Sequence, residues 1–112
     1  MCWEMQVKKL VFIANKKDVP RGEAKVFRFP TGDRPALLIH LQTGEFVAYD
    51  GLCTHLQGEL YWDKNLQKIA CSFHDGLYHP EHGGPYRGLP QKSLPSINLE
   101  IEDNGDIYAV KE

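Results

Sequence analysis

Turn signals punctuate this chain at short intervals, and no helical pattern survives between them. Pro30-Thr31-Gly32-Asp33, Gln42-Thr43-Gly44, Asp63-Lys64-Asn65 and Asp103-Asn104-Gly105 each break the sequence with turn-forming residues. No window keeps apolar residues at three-to-four spacing for more than two turns. The segments between the breaks read as strands. Lys9 to Ala14 is β-rich. Ala24 to Phe29 alternates, with Ala24 and Val26 facing one way and Phe27 and Phe29 the other. Ala36 to Leu41 and Glu45 to Tyr49 form one expected hairpin. Leu60 to Trp62 and Leu66 to Ala70 form a second, and Ile97 to Ile101 with Asp106 to Val110 a third. Asn104-Gly105 is the strongest of these hairpin signals. Seven or eight short strands imply an all-β fold, an antiparallel sandwich or barrel. Gly76 to Pro95, rich in Gly and Pro, reads instead as a long functional loop.

Composition narrows the class. A chain of 112 residues is expected to form a single domain, 1–112. A net charge of −2 supplies no basic stripe for nucleic acid and no electrostatic hold on a membrane. The most apolar N-terminal run, Leu10 to Ala14, falls far short of the roughly twenty residues that span a bilayer. It is also too short for a signal-peptide core. The expectation is a soluble cytoplasmic protein that binds neither nucleic acid nor membrane. Three dispersed cysteines, Cys2, Cys53 and Cys71, do not make a disulfide framework. Cys2, close to the start of the sequence, reads as having no role.

Two short motifs carry the chemistry: Cys53-Thr54-His55 and Cys71-Ser72-Phe73-His74. Each offers one thiolate and one imidazole, and each follows an expected strand. The hairpin between them can turn both loops towards one end of a sheet. Thiolates suit zinc and iron–sulfur clusters, and imidazole suits zinc and iron. Zinc fingers usually pair two thiolates in one motif and two histidines in another. Here each motif mixes the two, which serves a purpose if two metal ions are held, one by the thiolates and one by the imidazoles.

This pattern resembles the Rieske signature: Cys-x-His, a gap of about fifteen residues, then Cys-x-x-His. Leu56 after the first His, Gly76 and Tyr78 after the second, the following Gly/Pro-rich loop and the last hairpin fit the same family. The resemblance implies a Rieske-type β domain with a cluster-binding subdomain at about 52–90. It implies one [2Fe–2S] cluster per chain, with Cys53 and Cys71 on one iron and His55 and His74 on the other. Exposed imidazole edges would carry the electron in and out, and alkaline loss of an imidazole proton would lower the potential. Respiratory members of the family carry an extra Cys in each loop and a Ser near the bridging sulfide. Gly58, Phe73 and Gly76 stand at those positions here. The resemblance therefore implies a monomeric, soluble, lower-potential ferredoxin and not an enzyme. Its partners would be a reductase and an acceptor such as an oxygenase. A subunit or regulatory module of a larger redox enzyme, or a zinc-stabilised binding module, are the other readings.

Several further residues have ordinary expectations. His79 and His82 read as exposed loop histidines and His40 as packed or at an edge. Trp62 and Tyr86 read as core or loop cover, and Phe73 as apolar wrap around the cluster. Pro85 and Pro90 are candidates for a rigid shielding loop. Tyr78 corresponds to the tyrosine that bonds a ligand sulfur in the family. Asp75, beside His74, would favour the protonated imidazole if it faces it.

Overall fold

The structure, a computed structural model, describes residues 9–29, 34–51, 59–71, 76–87 and 93–111. Ten strands lie among them. They are β1 (Lys9–Asn15), β2 (Ala24–Arg28), β3 (Pro35–His40), β4 (Phe46–Asp50), β5 (Leu60–Asp63), β6 (Lys68–Cys71), β7 (Leu77–Tyr78), β8 (Pro85–Arg87), β9 (Leu99–Ile101) and β10 (Asp106–Lys111). The only helical turn among the described residues is a 3-10 turn, Lys16–Asp18. All pairings are antiparallel, in three sheets ordered β1-β10-β9, β2-β3-β4 and β5-β6-β7-β8.

The sheet β2-β3-β4 lies in the middle, and its sequence says why. Pro35-Ala-Leu-Leu-Ile39 is a continuous apolar run, buried at every position. A strand with one wet face would alternate; a strand covered on both faces does not. Ala36 and Leu38 face one core with Phe27, Ala48, Ile107 and Ala109. Leu37 and Ile39 face a second core with Tyr49, Leu60, Ile69, Cys71 and Tyr78. The first core holds the β1-β10-β9 sheet and the second holds the β5–β8 sheet. The expected alternation along β2 fits this: Phe27 and Phe29 enter the first core, and Ala24 packs against the second.

Two of the expected hairpins close as their turn residues dictate. Gly44 and Gly105 adopt φ of 101° and 93°, the left-handed region that glycine enters without strain. The β5–β6 hairpin differs from expectation. Asp63 belongs to β5, and Leu66 sits in a four-residue turn, 51 % exposed, rather than in a strand. The Asp63 carboxylate accepts the Leu66 N–H at 3.0 Å, which makes the turn a local Asx closure. Ile97–Ile101 also divides. Ser96 bridges Tyr49 and the Ile97 N–H donates to Ala48, before Leu99–Ile101 crosses to pair with β10. Gly76 to Pro95 is not all loop: it contributes β7 and β8, and Pro85 and a 54 % exposed Tyr86 stand on β8. Trp62 does pack at the second core, with its indole N–H donating to the Gly22 carbonyl at 2.8 Å. His40 stacks on Phe46 at 4.0 Å between ring centroids, and its Nδ1–H donates to the Val19 carbonyl at 2.7 Å.

Tyr49 ties the middle sheet to the third. Its buried hydroxyl donates to the Pro80 carbonyl at 2.8 Å, in the turn between β7 and β8. Burial, with the Glu81 carboxylate adding to it, pushes the phenol pKa up to about 12. The folded state thus holds this proton more tightly than the unfolded chain does. The resulting stabilisation is complete below about pH 10 and is lost as pH rises towards 12, by about 2–3 kcal/mol in all.

Two outcomes follow for stability. Leu38→Ala, at a position with no exposure, should cost about 2–5 kcal/mol in denaturant melts. Wild-type protein should lose stability between pH 10 and 12, and Tyr49→Phe should flatten that part of the profile while lowering the plateau by about 1 kcal/mol.

Candidate cluster-binding site

The first motif departs from β4 at Gly51 and the chain is described again from Glu59; the second departs from β6 at Cys71 and is described again from Gly76. Cys53, His55 and His74 lie outside the described residues, as do Cys2, Gly58, Phe73, Asp75 and Pro90. Within the described part, the residues that bracket both motifs stand in one hydrogen-bonded row. Gly51 N–H donates to the Pro35 carbonyl at 3.0 Å, and Leu60 N–H donates to the Gly51 carbonyl at 2.8 Å. Leu60 is the register partner of Cys71, and Cys71 N–H donates to the Gly76 carbonyl at 3.0 Å. Leu77 pairs with Arg87, so the chain also leaves β8 at this end of the sheet. The two motifs issue not from one sheet, as expected, but from β4 of the middle sheet and β6 of the third, whose ends are joined through Leu60.

Local sequence explains the row. A Cβ on Gly51 would sit 3.0 Å from the Pro35 carbonyl carbon and oxygen, closer than nearly all real contacts. Another residue there would require β3 to give by a few tenths of an ångström close to where the first motif begins. The Arg34 guanidinium pairs with Asp50 at 2.5 Å across the same strand ends. Cys71 is the last residue of β6, one position further into the strand than the sequence suggests. Its side chain is 4 % exposed and packs in the second core with Leu60 and Tyr78. Tyr78 is fully buried, and Gly76 is buried with no side chain to offer a hydroxyl.

This chemistry fits a cluster held by soft donors. A buried thiol at a strand end, beside a row of fixed backbone hydrogen bonds, is a soft donor of the kind such a cluster takes. Among the described residues no three His, Cys, Asp or Glu side chains gather as a metal-holding group. His79 and His82 instead face each other on the β7–β8 turn, ring centroids 4.9 Å apart, with the His82 ring exposed. The His82 Nδ1 accepts the Gly84 N–H at 3.1 Å, and the His79 ring packs edge-on against Tyr86. The sequence reading did not single out Tyr49, Gly51 or Gly83. Their roles arise from close packing between distant segments, which leaves no local pattern to read.

Among the described residues no helix is long and apolar enough to cross a membrane. The family profile of the Rieske [2Fe-2S] domain matches residues 9–98. The ferredoxin component of the p-cumate 2,3-dioxygenase system of Pseudomonas putida is 35% identical over 101 residues, covering 88% of this chain and 83% of that protein. The cytochrome b6-f complex iron-sulfur subunit of Chlorobaculum tepidum is 29% identical over 93 residues, 83% of this chain; the chain spans only 49% of that relative's length. Among solved structures, the ferredoxin of carbazole 1,9a-dioxygenase from Nocardioides aromaticivorans superposes with a TM-score of 0.73 at 14% identity, covering 92% of this chain and 98% of the other. Its likeness shows the fold. With the profile matching 90 of 112 residues, this chain belongs to the Rieske [2Fe-2S] domain family, whose cofactor is a [2Fe–2S] cluster.

Proposed function

We propose that this protein is a Rieske-type electron carrier, a ferredoxin that shuttles one electron between a reductase and an acceptor such as an oxygenase. The observation that carries the reading is the row Gly51–Leu60–Cys71–Gly76, from which both Cys/His motifs depart, within a chain of this family. Cys53 and Cys71 would hold one iron, and His55 and His74 the other. The bound cluster supplies a site that takes up and releases one electron. The chain's own part is to fix the ligands and exclude water. The middle sheet backs the Cys71 side of the site with Leu37 and Ile39, which are buried. The protein itself makes or breaks no substrate bond in this reading.

The ferredoxin reading is favoured over a subunit of a larger complex by two features. The Pseudomonas ferredoxin component matches along most of its own length. Cysteines are absent at Gly58 and Phe73, so the chain lacks the thiols for the respiratory-type disulfide. Gly76 supplies no side-chain hydroxyl to a cluster sulfur. Hydrogen bonds to cluster sulfurs favour the more negative reduced state, so fewer donors mean a lower potential.

Purified protein should contain two irons and two acid-labile sulfides per chain and be reddish-brown. One zinc per colourless chain would defeat the reading. Cys71→Ser should bring iron and sulfide to near zero. The reduction potential should fall in the lower half of the family span of about −150 to +300 mV. A titration near the top of that span would contradict the role given to Gly76.

A further inference from the structure

Tyr49 stands where three segments meet, and each of them adjoins the site. Its own strand, β4, runs through Asp50 and Gly51 into the first motif. Its hydroxyl reaches the Pro80 carbonyl, two residues beyond Tyr78, on the strand that follows the second motif. Its backbone bridges Ser96, where the chain returns after β8, and the neighbouring Asp50 N–H donates to Pro95 at 3.0 Å.

The contact is shaped on both sides. Pro80 is fully buried. Gly83 N–H closes the turn onto the His79 carbonyl at 2.8 Å, and Leu94 N–H donates to the Gly83 carbonyl at 2.8 Å. A Cβ on Gly83 would lie 2.8 Å from Cε1 of the Tyr49 ring, and Gly83 has φ of 76°. The turn is therefore built to receive this ring. Strand β7 is only two residues long. One end is fixed by the Cys71–Gly76 hydrogen bond and the other by the Tyr49–Pro80 hydrogen bond. Between those two points sits Tyr78, whose side chain shares the second core with both Cys71 and Tyr49.

We propose that Tyr49 is a positioning residue for the cluster site, holding β7, and with it Tyr78, in place through the Pro80 carbonyl. The inference rests on the proposed cluster reading. In that reading, as the family resemblance implies, the Tyr78 phenol donates to a ligand sulfur of the cluster. Loosening β7 weakens that donor without removing a ligand, so the potential falls while the cluster stays bound.

The test compares wild type, Tyr49→Phe, Tyr78→Phe and the double variant, each assayed for iron, sulfide and reduction potential. Tyr49→Phe should keep its iron and sulfide and shift to lower potential. Tyr78→Phe should shift at least as far, and the double variant should match Tyr78→Phe alone, because both act through one donor. Amide hydrogen exchange in Tyr49→Phe should quicken more at residues 77–87 than in β9 and β10, where it should quicken by no more than the global loss of stability. An unchanged potential in loaded Tyr49→Phe, or two shifts that add in full, overturns the inference alone. Protection from exchange lost equally throughout the chain also overturns it, since the tie would then serve the whole fold. Wild-type protein without iron and sulfide overturns the cluster reading and this inference together.

Discussion

Burial of both faces of β3 is the constraint on which the rest depends. Ala36 and Leu38 point into one core and Leu37 and Ile39 into the other, so a single strand fixes two layers at once. The β1-β10-β9 sheet closes one side and leaves its outer face partly wet, with Phe12 57 % exposed. The β5–β8 sheet closes the other, and that is the side that carries the site. The arrangement gives a short, loop-bearing sheet a rigid floor. A functional site placed on loops needs such a floor, because the loops have few contacts of their own.

The floor also sets where the motifs begin. Gly51 allows β3 and β4 to close against each other two residues before the first motif, and the ladder then passes through Leu60 to Cys71 and Gly76. Two segments far apart in sequence thus share one line of backbone hydrogen bonds. Backbone bonds in a ladder constrain direction as well as distance, which is what a metal centre with ligands from two segments requires. The Tyr49–Pro80 bond adds a second fixed point beyond the ladder and keeps the β7–β8 hairpin seated on the middle sheet.

Much of this was legible in the sequence, for reasons that differ by element. Gln42-Thr43-Gly44 and Asp103-Asn104-Gly105 announce their hairpins because turn chemistry is local, and Gly44 and Gly105 adopt the positive φ those turns demand. The β5–β6 turn misleads because its positive-φ residue is Gln67, at 54°, which carries no glycine signal, and because Leu66 looks like a strand residue. Strands β7 and β8 are too short to show a period, and they exist because β6 offers an edge to pair with. The three-layer order is hidden for a related reason: an apolar run such as Ala36–Ile39 says that a strand is buried, not what buries it. The family was readable, since four donors of two types at fixed spacing are a chemical signal. Tyr49, Gly51 and Gly83 were not, since only the folded chain brings Pro35, Pro80 and the Tyr49 ring to them.

The central claim is that the two mixed Cys/His motifs hold two irons in unlike environments, one with thiolates and one with imidazoles. Mössbauer spectroscopy of protein loaded with iron-57 tests it most directly. The account predicts two distinct iron sites in equal amounts, one with the signature of all-sulfur ligation and one with mixed nitrogen and sulfur ligation. A single class of iron site, or none, would contradict it.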